Sequence, residues 1–340
     1  MTRSWEDRWT QDWDTAGKGS SAVKAALRRA VVSEVAVLKG QVAVAVLWDL
    51  TSFFDTVLPQ VLIQQALELE YPAKHLYLSL QVHLAPRVLV TEGAQHPEPV
   101  VVSNSIMAGF TDSVTLTRVL LRKAIAVVRE ECPEAPPEVY VDDMAQMAVG
   151  TTQHILRVVP QAAACLHEAI SLAGGIFSSK STIVATNIKL ARAVAKRLVR
   201  SHGIHVKVAQ STSDLGVDFA GGRKRRLATH KKRQAKGKVR LGRIATMVRA
   251  NRKAAKLTLT GAAPQMLWGT QATGVAPSRM RSIRSSYAFA AGIQTRGRCT
   301  TTAIALRYGS DKDPAVVQPL LLLMEYTALV SVPRHQTRCG

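Results

Sequence analysis

Cysteine is scarce in this chain. Its four residues, Cys132, Cys165, Cys299 and Cys339, are far apart and form no C-x-x-C pair, which excludes a disulfide scaffold, a zinc ribbon and a zinc knuckle. His202 and His205 form an H-x-x-H with no second ligand pair nearby, so they read as a surface loop at a helix end. Long apolar runs are missing too. Nothing approaches the roughly 20 residues needed to span a bilayer, and Val42–Leu47 and Leu320–Met324 have the length of strands or short core helices. The opening MTRSWEDRWTQDWD is polar and partly acidic, and is not expected to be a secretory signal. Aromatic residues make up 5%, yet 47% of the chain is hydrophobic and its mean hydropathy is +0.04. That balance belongs to a folded chain rather than a disordered one, and 340 residues suffice for two or three packed subdomains.

Acid is the most telling shortage. Lys and Arg number 45 against 24 Asp and Glu, a formal net charge of +21. From Lys180 to Lys256 there are 22 Lys/Arg and two Asp, and residues 221–256 contain no acid at all. Such a stretch repels itself unless a polyanion lies against it, and nucleic acid is the expected partner.

Hydrophobic spacing predicts a helix over 20–38, with Ser20-Ser21 as caps and Gly40 as its stop. QVAVAVLWDL is too short and too valine-rich for an independent helix and reads as a buried strand ending at Asp49. Helices are expected over 59–69 and 72–82, and a hairpin over 87–103 with its turn at Pro97 and Pro99. A long helical pattern runs from Gly109 to Glu131. A second hairpin is expected over 139–149, then a helix over 153–172 closed by Gly174-Gly175. A strand over 183–185, a basic amphipathic helix over 187–201 and a strand over 205–208 follow. DLGVDF, at 214–219, reads as one more short strand.

Carboxylates gather at two of these strand ends. Asp49 closes a buried strand, where a charge is costly unless it is paired or binds a cation. Asp142 and Asp143 stand side by side in the turn of PEVYVDDMAQMAVG. Two readings are open: a solvated turn, or a divalent metal that neutralises the acids. If the two strands are neighbours, three carboxylates converge on a hard-oxygen site suited to Mg²⁺, the setting for two-metal nucleotidyl transfer.

Taken in order, these segments resemble the reverse transcriptases of non-LTR retroelements over roughly residues 15 to 220. WDLTSFFDTV resembles the first palm motif, D-x-x-x-x-F-D, and YVDD resembles the Y/F-x-D-D motif. AGGIFSSKSTIVAT resembles the Gly-rich turn and lysine that follow, and DLGVDF the short segment that grips the primer. The region from RVLVTEG to TRVLL falls where the family has a fingers hairpin, a glycine-containing loop and a long helix. The resemblance implies that Asp49, Asp142 and Asp143 bind two Mg²⁺ ions (Mn²⁺ being a possible substitute), helped by the carbonyl of Leu50. It implies that Lys180 protonates the leaving pyrophosphate, and that Phe54 lies under the incoming sugar and selects deoxynucleotides. Tyr140 would support the primer end, Gly109 would admit the templating pair, and Leu215 and Gly216 would hold the primer. Where the family usually carries a glutamine before this glycine, the chain reads Met107-Ala108-Gly109. The segment before Asp49 is short for the upstream fingers motifs, with Lys18 and Lys24 as candidate substitutes, and the chain is expected to be a piece of a mobile-element protein.

The expected fold is therefore α+β: a right-hand polymerase with an antiparallel-sheet palm (46–70 and 104–220), partial fingers (1–45 and the hairpin 71–103) and a basic helical thumb (221–340). The expected partners are an RNA template, a DNA primer and dNTPs, with no membrane and with oligomeric state open. Two alternatives remain at this point, an inactive relic that binds nucleic acid and an RNA-dependent RNA polymerase; Phe54 weighs against the second. RKRR at 223–226 resembles a nuclear signal and doubles as a phosphate contact, which leaves nucleus and cytoplasm both open.

Overall fold

The structure is a computed structural model that describes residues 2–95, 98–293 and 297–331. Pro97 and Cys339 lie outside the described residues. The chain divides into two units, the first comprising Met1–Ser20 and Ser33–Gln210, the second Ser21–Val32 and Ser211–Gly340.

The first unit contains α1 (Thr2–Trp9), the latter part of α2 (Ala22–Leu38), β1 (Val42–Trp48), α3 (Phe53–Thr56), α4 (Pro59–Glu68), α5 (Ala73–His83), β2 (Val90–Thr91), β3 (Ala94–Gln95), α6 (Ser113–Glu131), β4 (Pro137–Tyr140), β5 (Asp143–Gly150), α7 (Thr152–Leu172), β6 (Thr182–Ala185), α8 (Ile188–His202) and β7 (Lys207–Ala209). Five strands form one sheet in the order β4-β5-β1-β6-β7. All neighbours are antiparallel except β6 and β7. The fold is thus mixed α+β around a mainly antiparallel sheet.

The valine-alanine alternation of β1 sorts its side chains by face. Val44, Val46 and Trp48 enter the main core with Leu116, Ile125, Ile155, Leu166 and Leu198 from α6, α7 and α8, while Ala43 and Ala45 are buried on the other face. Helix α7 packs on β1 and β5, and α8 packs on β6 and β7. Beneath them Gln146, buried on β5, accepts from Trp48 Nε1 (3.0 Å) and donates to the carbonyls of Ala135 (3.3 Å) and Ala162 (2.9 Å). A buried amide satisfied at both ends stabilises one register of β1 on β5. The open edge of β4 is met by residues 13–15: Val139 donates to Trp13 O (2.9 Å) and Thr15 donates to Val139 O (2.8 Å).

The second unit opens with β8 (Ser211–Asp214) and β9 (Val217–Ala220), followed by α9 (Ala228–Ala250) and further helices through α14 (Pro314–Ser331). Asp218 caps α9, its two carboxylate oxygens accepting from the N–H groups of Thr229 and His230 at 2.8 Å each. Leu241, Ile244, Val248, Met266, Ile283, Tyr287 and Ile304 form a separate core. Arg29, from the part of α2 that counts with this unit, forms a buried two-bond ion pair with Asp214 (2.7 and 2.9 Å).

Two expectations about strands need correction. DLGVDF is a hairpin rather than a strand: Leu215 and Gly216 form its turn, with φ of 49° and 74°. That is the backbone of a two-residue turn matched to strand twist. The hairpin within 87–103 turns at Glu92-Gly93, not at Pro99; among the described residues it pairs through β2 with β3 and through a bridge between Arg87 and Val100. The helix expected from Gly109 begins at Ser113, because Gly109 itself has φ 81°. Among the described residues no helix is long and apolar enough to cross a membrane.

Candidate active site

Beyond Trp48 the chain leaves β1 and is held from one side by the Gly-rich turn after α7. Ser178 N donates to Asp49 O (2.7 Å), Thr51 N donates to Ile176 O (2.8 Å), and Asp49 N donates to Ser181 Oγ (3.1 Å). Leu50 forms an antiparallel bridge with Phe177. In such a bridge Leu50's own N–H and carbonyl face away from the partner strand, toward the β5 side. Two segments more than 120 residues apart are thereby fixed on each other. Lys180 sits in the same turn, its N–H donating to Ser178 Oγ (3.1 Å), with its side chain exposed.

On the other side lies the β4–β5 hairpin. Tyr140 pairs with Asp143, so Val141 and Asp142 alone make the turn. Val141 has φ 62°, a left-handed conformation that a β-branched residue adopts only under constraint. The β1–β5 ladder ends at Trp48 opposite Met144. Asp49 follows directly on β1 and Asp142 lies in the turn that leads into β5, at the same end of these paired strands. Asp142 is half-buried and Asp143 exposed. Burial pushes the Asp142 carboxyl above the usual range, and the charge of Asp49 adds to the push. Asp49 is thus near enough for its charge to bear on Asp142. Among the described residues, no three acidic, histidine or cysteine side chains form a ready-made cation cage.

The remaining residues singled out in the sequence divide by unit. Phe53 is core and Phe54 is half-buried against it, their rings edge-on at 5.5 Å. Ile106 N donates to Phe54 O (2.8 Å), and Asn104 Nδ2 donates to Asp55 O (2.9 Å), which ties the Gly109 loop to α3. Gly109 is exposed and Tyr140 half-buried. Leu215 and Gly216 belong to the second unit. There Arg233 of α9 donates to Gly216 O, and a Cβ on Gly216 would meet Arg233 Nη2 at 2.8 Å and Trp268 Nε1 at 3.1 Å.

One polar group was invisible in the sequence. His83, fully buried at the end of α5, accepts the Met107 N–H at Nδ1 (3.0 Å) and donates from Nε2 to Asp112 (3.2 Å). Asp112 also accepts from Ser79 Oγ, and His75 approaches it at 3.6 Å. These bonds fix the neutral Nε2–H tautomer, and burial lowers the pKa of His83. Spacings of 24 and 29 residues match no motif.

No family model matches the sequence, and no curated protein matches it. Solved structures similar to it include telomerase from Candida tropicalis in complex with a TWJ fragment of telomeric RNA, at 11% identity and a TM-score of 0.44, covering 96% of this chain and 55% of that one. Apo telomerase from the same organism is similar at 10% identity and a TM-score of 0.45, covering 98% and 58%. The chain spans just over half the length of those telomerase chains.

Proposed function

We propose that this chain is an RNA-directed DNA polymerase of the non-LTR retroelement type, joining deoxynucleotides to a primer 3′-OH. The observation that carries the reading is the approach of Asp49 to Asp142, from the ends of two neighbouring strands in fixed register. A half-buried carboxylate with a second carboxylate near it is a fitting donor set for Mg²⁺, which takes oxygen ligands and leaves the rest of its shell to water and phosphate. Asp49 and Asp142 would hold the metal, with Asp143 and the Leu50 carbonyl beside them. Bound there, Mg²⁺ supplies Lewis-acid charge that acidifies the attacking hydroxyl and neutralises the pyrophosphate.

The protein's own groups are assigned the remaining tasks. Phe54 excludes a 2′-OH and so favours deoxynucleotides, which weighs against an RNA-dependent RNA polymerase. Lys180 gives a proton to the departing pyrophosphate. Tyr140 supports the primer end, and Leu215 with Gly216 holds the primer strand. Gly109, in a backbone conformation that suits glycine, admits the templating pair. In this reading 46–70 and 104–220 are the palm, 1–45 and 71–103 partial fingers, and 221–340 a thumb. The exposed cations of α9, Lys231, Lys232, Lys236 and Arg243 among them, hold the template–primer duplex by its phosphates.

Primer extension tests the proposal, with an RNA template, a DNA primer, dNTPs and Mg²⁺, run beside Asp142→Asn and Asp49→Asn. Extension by the native chain and a loss of about 10²–10³-fold or more in both variants is expected, the scale on which removal of a transition-state contact acts. No extension by the native chain, with duplex binding equal in all three, sinks the polymerase reading in favour of a relic that binds nucleic acid.

A further inference from the structure

Helix α8 divides cleanly by face. Leu190, Ala191, Val194, Ala195 and Leu198 are buried in the main core, against α7, β6 and β7. Lys189, Arg192, Lys196, Arg197 and Arg200 are all exposed. From Lys189 to Arg200 the stripe runs about 16 Å at 1.5 Å per residue. No acid interrupts it: the last before it is Glu168 and the next is Asp214.

Several basic residues elsewhere in the first unit are paired with acids. Arg118 pairs with Glu6 and Asp14, Lys123 with Glu68, Arg129 with Asp12 and Arg157 with Glu134. Among the described residues none of the five on α8 pairs with an acid. They are also mutual neighbours: 189 with 192, 192 with 196, 196 with 200, and 197 with 200 stand three or four apart, where like charges destabilise a helix. An ordinary solvated face mixes both signs. This one concentrates repulsion that no ion pair among the described residues offsets. Beside it, edge strand β7 adds the exposed Lys207.

We propose that the outer face of α8, with Lys207, is a second nucleic-acid contact surface, carried by the first unit and separate from the cations of α9 in the second, which grips a phosphate backbone without reading bases. This deepens the polymerase reading and rests on it only for the choice of nucleic acid as the physiological polyanion. The packing weighs against a lipid surface. Helices that lie on membranes insert an apolar face, whereas the apolar face of α8 is committed to the core, and the one large aliphatic on its outer side, Val199, is 38% exposed.

The test is equilibrium binding to fluorescent duplexes of several unrelated sequences, without Mg²⁺ or dNTPs, from 50 to 300 mM salt. One variant carries Lys189→Gln, Arg192→Gln, Lys196→Gln, Arg197→Gln and Arg200→Gln. A second carries Lys231→Gln, Lys232→Gln, Lys236→Gln and Arg243→Gln. Far-UV circular dichroism and Tm check that each variant folds; if the fivefold variant unfolds, single Arg192→Gln and Lys196→Gln replace it. The expected result is that the α8 variant binds more weakly on every sequence alike. Its log K against log salt should flatten by roughly 0.9 per lost phosphate contact, up to about 4.5 for five contacts, and its loss should add to that of the α9 variant. Unchanged affinity and slope would overturn the proposal. So would α8-dependent binding to phosphatidylserine vesicles with duplex binding intact. Failure of primer extension by the native chain leaves this surface standing, and a folded α8 variant with native binding removes it while leaving the polymerase reading untouched.

Discussion

At Asp142 burial and the nearby Asp49 both disfavour ionisation, so at neutral pH the native chain carries a charge its surroundings oppose. The sign follows from proton counting. The unfolded carboxyl titrates near its ordinary value of 3.8, and the folded one titrates higher. Between those two values the native state binds more protons, so this group's contribution to stability falls as pH rises through that window and stays low above it. Asp142→Asn is therefore expected to raise Tm at pH 7, by roughly 2–4 °C for each kcal/mol of opposition relieved. The gain should shrink as pH is lowered toward 4. A lower Tm for the variant at pH 7, measured by differential scanning calorimetry, would mean that the native surroundings satisfy the carboxylate instead. Asp142 could be singled out in the sequence because paired acids between apolar runs are chemically odd. The left-handed backbone at Val141 could not, since valine gives no warning of positive φ.

The element that depends most on unseen contacts is the loop from Ser103 to Asp112. Its N–H of Met107 is taken by His83, and Asp112 at its far end is bonded by the same ring, so one imidazole spans the loop. Gly109 stands out in the sequence as a glycine before a helix; what holds its loop comes from α5 and leaves no local pattern. His83→Ala should leave the Met107 N–H and part of Asp112 unsatisfied and cost about 1–3 kcal/mol. Limited proteolysis should then cut within 103–112 sooner than in the native chain. The pH dependence runs opposite to that of Asp142. Burial lowers the His83 pKa below 6.5 despite Asp112, with Arg87 adding to the lowering. Stability from this group is thus full above about 6.5, and is lost as pH falls toward the folded value, where the unfolded chain binds a proton that native His83 refuses. His83→Asn, which keeps an acceptor near Nδ1, should protect the loop in part and remove its acid sensitivity. If native and His83→Ala chains are cut at the same rate at pH 5.5 and pH 7.5 alike, the ring is not what holds the loop. Most helices and the main-sheet strands follow from apolar spacing and caps, to within a few residues. The hairpin within 87–103 and the strand expected at 214–219 both differ from expectation at a turn: Leu215 and Glu92 take positive φ without being glycine or asparagine, so neither announces itself.

For the molecule as a whole, each unit is built from two separated pieces of chain. The order of motifs along the sequence cannot reveal such a division, because it depends on partners far apart. Arg29 and Asp214 are the plainest case, 185 residues apart and side chains only 4% and 5% exposed. The sequence reading assigned Arg29 no partner, since it lies on a helix that looks continuous from Ala22 to Leu38. Yet the pair joins residues 21–32 to the β8–β9 hairpin within the second unit, and it holds Asp214 directly beside the Leu215-Gly216 turn. Removing one member of a buried pair strands the other's charge and costs roughly 3–5 kcal/mol. Arg29→Ala should therefore speed hydrogen exchange in peptides covering 211–220 and α9, and lower the urea midpoint. Peptides from β1 and β5, in the first unit, should exchange at native rates in the folded baseline. The double change Arg29→Met with Asp214→Leu should recover much of the loss, because an apolar pair of similar volume does not have to be desolvated as ions. If Arg29→Ala slows nothing and loosens nothing in 211–220, the pair contributes little and the hairpin is held by its other neighbours. If the double variant is as unstable as the single, shape rather than charge is what the site requires, and the Leu215-Gly216 turn depends on the fit of that guanidinium.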